Sequence, residues 1–268
     1  MHKKICSNDT YCILVNDSPS LNHADVGIAM GSGTSVAKEA SDIVLLDDAF
    51  PSIVTGVKWG RSLYKNIQCF LVYQLTINVV FCLIALLGPI LGIDLPFSIC
   101  QALLINVCMD SLAAICLASE PADSRVLMDK PRGHNDFIIN SLMWKTIIGV
   151  GILVTLVLSV LIWNTSHPGT LPFKTDTTLI FAVFMMFNWW NLFNARVIGK
   201  NCSIFHGLGN SSYFLIGSAA MLIATILSVQ FGGEIFQTHS LSFKEWIIII
   251  LVTSPTIILK EIWYRIKK

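Results

Sequence analysis

The run LLINVCMDSLAAICLASEP, residues 103–121, is apolar enough to cross a membrane, yet it holds Asp110 near its middle and Asn106 four residues earlier. An ionised carboxylate at the centre of a spanning helix costs about 2.5 to 3.5 kcal/mol on insertion scales, so it is expected to face protein, water or a cation. In an α-helix, residues four apart lie on one face. Asn106 is therefore expected to place a neutral oxygen beside the charged ones of Asp110.

The rest of the chain supports a membrane setting. Of its 268 residues, 54% are hydrophobic and only 13% charged, against about a quarter charged in soluble domains, and the mean hydropathy is +0.67. Six apolar runs, near residues 66–91, 97–118, 140–163, 177–195, 212–231 and 245–263, each approach the roughly 20 residues that a spanning helix needs. With the N-terminus inside, sixteen of the eighteen lysines and arginines fall on the inner side, leaving Lys174 and Lys244 outside. This bias predicts cytoplasmic N- and C-termini. A net charge of +1 gives no ground for a nucleic-acid partner, and the expected partner is the lipid bilayer. The eight cysteines include no C-x-x-C pair, so they read as small apolar fillers.

Across the six spans, Asp110 is the one acidic residue in a span interior. Asn78 lies 14 residues before Gly92 and Asp110 lies 14 after Pro96, which puts both near 21 Å from the outer side at about 1.5 Å per residue. Asn78, Asn106 and Asp110 together predict an oxygen-rich cavity suited to Ca²⁺, which takes six to eight such ligands. Three side chains are too few, so the site needs carbonyls, waters or another helix. The alternative is that these residues only join helices by hydrogen bonds. That structural reading is preferred for Asn188, Asn191 and Asn194 in FMMFNWWNLFNAR, residues 184–196, where Arg196 is expected to snorkel or anchor at the inner interface.

Residues 13–48 have a different texture. Apolar runs at residues 13–15, 26–30 and 43–46 alternate with a turn before Pro19 and a helical stretch at 35–40, the pattern of a parallel α/β sheet edge. About 36 residues are too few to fold alone. Gly31-Ser32-Gly33-Thr34 lacks the lysine and spacing of a phosphate-binding loop and reads as a turn. From residue 50 the pattern becomes helical, and a helix running unbroken into the first span would couple the two parts. The expected division is residues 1–62 as sheet edge and stalk, and residues 63–268 as the membrane domain.

Residues 15–80, VNDSPSLNHADVGIAMGSGTSVAKEASDIVLLDDAFPSIVTGVKWGRSLYKNIQCFLVYQLTINVV, resemble the end of the phosphorylation domain and the stalk of a P-type cation-transporting ATPase. The similarity is greatest to the plasma-membrane type of calcium pump. It continues through NVCMDSLAAICLASEP, similar to the sixth transmembrane helix, and FNARVIGKN, similar to the segment after the eighth. The resemblance implies a membrane all-α bundle of six helices, the family's fifth to tenth, preceded by a partial α/β haloacid-dehalogenase-like edge. It implies that Asn106 and Asp110 ligate calcium, and that Asn16 and Asp17 match the pair near the phosphorylated aspartate and its Mg²⁺.

Departures from the pattern matter too. Where the family has threonine-glycine-aspartate-glycine, this chain has Tyr11-Cys12-Ile13-Leu14, and isoleucine cannot bind Mg²⁺. Phe81 and Asn188 stand where two-site relatives have acids, which favours a single Ca²⁺ site. The phosphorylation motif, the ATP-binding domain and the first four helices are not in this sequence. The expectation is a C-terminal portion of a calcium pump, from a true truncation or an incomplete gene model, incompetent alone and in need of an N-terminal half. A passive six-helix channel or carrier, or a non-catalytic membrane partner, are the alternatives. The ending KEIWYRIKK is read as leaving no room for a long regulatory tail.

Overall fold

The computed structural model describes residues 11–13, 18–90, 97–130, 133, 136–167, 175–200, 202–258 and 261. They form two compact units, one of residues 1–62 and 122–129, the other of residues 63–121 and 130–268.

The first unit holds a three-stranded parallel sheet in the order β1-β2-β3, with β1 Tyr11–Ile13, β2 Val26–Met30 and β3 Ile43–Leu45. Helix α1, Ser18–His23, connects the first pair, and α2, Ser35–Glu39, the second. Parallel neighbours require such crossovers. β1 includes Ile13, the first residue of the expected run at 13–15, while Leu14 to Asp17 lie outside the described residues. A small core of Leu21 and Ala37 packs with Ala24 and Ala40. Thr34 caps α2, its hydroxyl accepting from the Ala37 amide at 3.3 Å.

The Gly31-Ser32-Gly33 segment is a turn whose donors are used internally. The Gly31 amide donates to the Leu45 carbonyl at 2.7 Å and that of Gly33 to Met30 at 3.0 Å. The Ser32 amide donates to the Asp48 carboxylate at 3.1 and 3.2 Å. A Cβ on Gly31 would meet the Leu45 carbonyl oxygen at 2.8 Å, so only glycine fits there. The Ser32 hydrogen bonds hold the Asp48 carboxyl below its ordinary value of 3.8. A carboxylate depressed on folding adds stability that is present above its unfolded pKa and is lost as pH falls through the folded one. The Ser32 amide resonance is therefore expected to titrate with a midpoint below 3.8; a midpoint at or above that value would show that the turn does not hold the carboxylate.

In the second unit, α3 belongs to a helix that runs unbroken over Phe50–Ile90. Next come α4, Ile99–Leu103, a π-helical segment over Leu104–Met109, and α5, Asp110–Ala118. They are followed by α6, Ser141–Ser166, α7, Thr177–Arg196, α8, Ser212–Phe231, the short α9, Gly233–Phe236, and α10, Phe243–Thr253. Among the described residues, five helical stretches are long and apolar enough to cross a membrane: Phe50–Ile90, Ile99–Ala118, Ser141–Thr165, Thr177–Arg196 and Ser212–Phe231. The chain is an integral, multi-pass membrane protein.

In the sixth expected span α10 covers Phe243–Thr253, Ser254 keeps a right-handed helical backbone and donates to the Ile250 carbonyl at 2.9 Å, and helical structure continues at Pro255, which has no N–H to add to the ladder. Residues 259, 260 and 262–268 lie outside the described set.

The core is organised around α7, which buries every side chain except Thr177, Trp189 and Trp190. Those two indoles donate across the bundle, Trp189 to the Ser218 carbonyl at 2.9 Å and Trp190 to the Thr253 hydroxyl at 3.0 Å. On α6, Trp144, Ile148, Ile152, Leu156 and Val160 are all exposed at intervals of four, an apolar stripe that hydrocarbon would cover. Cys69 and Cys116 are buried fillers, whereas Cys82, Cys100 and Cys108 are exposed. α8 approaches α5 at Gly217, where a Cβ would come within 2.2 Å of the Cys116 sulfur.

Candidate membrane ion site

Asp110 is the first residue of α5, and its backbone N–H still reaches back five residues to the Ile105 carbonyl, the bond that defines the π-helical turn before it. Its side chain is only 5% exposed. The Gln74 amide on α3 donates to Asp110 Oδ2 at 2.6 Å, a short, charge-assisted hydrogen bond. Asp110 Oδ1 and Gln74 Oε1 are both buried and have no hydrogen-bond partner among the described residues. Two bare acceptors on one hydrogen-bonded pair suit a cation, because each offers lone pairs and neither can donate to the other.

Asn106 lies inside the π-helical segment and is exposed, as is Asn78 on α3. Asp110 is thus buried while Asn106, four residues before it, is exposed. The wider π turn changes the angular relation on which that spacing argument rested. Gln74 is the residue that the sequence reading passed over. Its signal was present, since it is an amide inside an apolar run and one turn before Asn78.

Asn16 and Asp17 lie outside the described residues. Among the described residues, no three His, Cys, Asp or Glu side chains gather into one metal-binding group.

The asparagines of α7 are buried. Asn194 donates to the Thr256 carbonyl at 3.3 Å. Asn188 and Asn191 line a small cavity with Thr76, Val80, Val150 and Phe184.

Arg196 does not snorkel. It is 4% exposed, and its Nε donates to Glu120 Oε1 at 2.6 Å. Nη1 donates to the His206 carbonyl at 2.9 Å, Nη2 to the Ser211 hydroxyl at 3.1 Å, and the guanidinium lies 5.1 Å from the Phe214 ring centroid. Asn66 on α3 donates to the carbonyls of Ala118 and Glu120 at 3.4 and 3.1 Å. Glu120 so joins α3, α5 and α7 in one buried polar network. A carboxylate nearby offers Arg196 a better partner than the interface, because a guanidinium forms directed bonds to several acceptors at once.

Comparison with known proteins places this arrangement. Residues 94–266 match the family model described as cation transporting ATPase, C-terminus. The chain is 39% identical over 243 residues to plasma membrane calcium-transporting ATPase 1 of Gallus gallus, covering 87% of this chain and 20% of that protein. The corresponding Homo sapiens protein is 38% identical over the same length. Plasma membrane calcium-transporting ATPase mca-1 of Caenorhabditis elegans is 37% identical over 258 residues, 92% of this chain and 21% of that protein. The chain thus spans about a fifth of the length of the curated relatives it matches. It belongs to the cation-transporting ATPases, as a C-terminal portion of the type found in plasma-membrane calcium pumps.

Proposed function

We propose that the chain is the C-terminal part of an ATP-driven calcium pump and carries part of a single membrane Ca²⁺ site. The observation that carries this reading is Asp110, a buried acid within a spanning segment that keeps one oxygen without a partner among the described residues. Asp110, Asn106 and Asn78 are the proposed protein ligands. The exposure of both asparagines supports a site completed by a further helix, supplied by an N-terminal half of the pump. In this reading the spans, with α10 and its continuation as the last, are the family's helices five to ten. The parallel sheet is the edge of its haloacid-dehalogenase-like phosphorylation domain. Both termini are cytoplasmic, and the membrane is the plasma membrane. Asn16 and Asp17 would serve the Mg²⁺ and phosphate site of an intact pump that binds ATP, while this chain alone hydrolyses none.

The test is a chimera in which residues 15–268 of this chain replace the matching segment of the Gallus gallus pump, whose own residues are kept ahead of the junction in place of Tyr11-Cys12-Ile13-Leu14. ATP-dependent ⁴⁵Ca²⁺ uptake by vesicles is expected, and Asp110→Asn should reduce it by about tenfold or more, since the substitution removes the site's membrane charge. The chain by itself should form no calcium-dependent phosphoenzyme. A chimera that reaches the membrane intact and transports no calcium, or one indifferent to Asp110→Asn, would sink the reading.

A further inference from the structure

We propose that Gln74 is a positioning residue for the ion site: it holds one carboxylate oxygen of Asp110 and leaves the other presented to the cation. The inference rests on the cation reading given above. Its basis is the geometry around one carboxylate. Gln74 Nε2 lies 2.6 Å from Asp110 Oδ2. With Asp110 ionised, the opposite amide orientation would set Gln74 Oε1 at that distance instead, two acceptors in contact, so the amide nitrogen faces the carboxylate. One Asp110 oxygen is thereby committed and Oδ1, buried and without a partner among the described residues, is not. Gln74 Oε1 is left in the same condition.

The arrangement addresses a problem that any transported-ion site has. A buried carboxylate with no donor is costly to keep charged, yet a permanent cationic partner would exclude the ion. No Lys, Arg or His among the described residues forms an ion pair with Asp110. A neutral amide is a compromise: it stabilises the anion through one hydrogen bond, adds no net charge, and leaves half of the carboxylate for the ion. Gln74 sits on α3 one turn before Asn78, so a single helix would carry both a support for Asp110 and a proposed ligand.

The variant that tests this is Gln74→Met, which keeps the length and apolar stem of the side chain but removes the donor. The chimera described above, which supplies the remainder of the site, is held in lipid nanodiscs and titrated with Tb³⁺, a luminescent substitute for Ca²⁺ excited through tyrosine and tryptophan. Tyr73 lies within electrostatic reach of Asp110. The chimera without these substitutions should show Ca²⁺-displaceable Tb³⁺ luminescence, Asp110→Asn should lose it, and Gln74→Met should weaken Tb³⁺ binding about tenfold, as expected for loss of one charge-assisted hydrogen bond. In the infrared, the carboxylate stretching band assigned by its loss in Asp110→Asn should shift in Gln74→Met. A merely structural glutamine would not move that band. Gln74→Met that binds Tb³⁺ within twofold of the unsubstituted chimera, or leaves the Asp110 band in place, overturns the proposal. If the chimera without these substitutions binds no Tb³⁺, the cation reading itself fails, and the infrared band still decides whether Gln74 holds Asp110.

Discussion

Replacing Arg196 with methionine is expected to destabilise the bundle by about 3 to 5 kcal/mol, the usual cost of breaking a buried ion pair by removing one partner. Both members are enclosed, with side-chain exposures of 5% and 7%, and the pair is short at 2.6 Å. Arg196→Met leaves Glu120 buried with no counter-charge and leaves the His206 carbonyl and Ser211 hydroxyl without their donor from Arg196. Glu120→Gln should cost less, because the amide still offers an oxygen to Arg196 Nε. The double variant, Glu120→Gln with Arg196→Met, should be more stable than the sum of the two single effects, since no lone charge remains. The readout is the thermal unfolding midpoint of the nanodisc-held chain, followed by tryptophan fluorescence. Single variants that unfold with wild type, or a double variant that is simply additive, would show that the pair carries little of the inner-end stability.

The second large effect is expected at Gly217. Its Cβ position lies 2.2 Å from Cys116 Sγ and 3.7 Å from Cys116 Cβ, far inside van der Waals contact. Cys116 is fully buried, so Gly217→Ala either forces its sulfur to rotate within a packed interior or pushes α8 from α5. Overpacking of this kind typically costs about 1 to 3 kcal/mol. Small residues allow close helix approach in membranes, where packing rather than water drives association. Gly217→Ala combined with Cys116→Ala should recover most of the loss, because the second change removes the sulfur that the new methyl strikes. Gly217→Ala alone with an unchanged unfolding midpoint would show that the two helices have slack there.

How much of this was legible beforehand varies with the range of the interaction that decides it. The spans read well because hydropathy is a local sum. The third, fourth and fifth appear as Ser141–Thr165, Thr177–Arg196 and Ser212–Phe231, each near its expected bounds. β2 was placed at Val26–Met30 by a short apolar run closed at Gly31. Asp110 was visible as the acid within a span.

The π-helical segment was not legible, because nothing in Leu104–Met109 distinguishes it by composition from an α-helix, and it changes the angle between Asn106 and Asp110 that simple spacing assumes. The Arg196–Glu120 pair spans 76 positions, beyond any spacing rule, so the arginine read as an interfacial anchor. Gln74 shows a different kind of miss: its type and position were readable, but its partner belongs to another helix.

The burial of α7 has a consequence for how the protein is made. This helix is the least apolar of the five candidate spans and the most enclosed, and it carries Asn188, Asn191, Asn194 and Arg196. Such a segment is poorly suited to wait alone in lipid while the rest of the chain emerges from the ribosome. It follows α6 in sequence and packs against α6, α8 and α10 in the finished bundle. The natural order of biogenesis is for α6 to enter first and α7 to be retained beside it at the insertion machinery. The later helices would then close over its polar positions, making delayed release into the bilayer a property written into the fold.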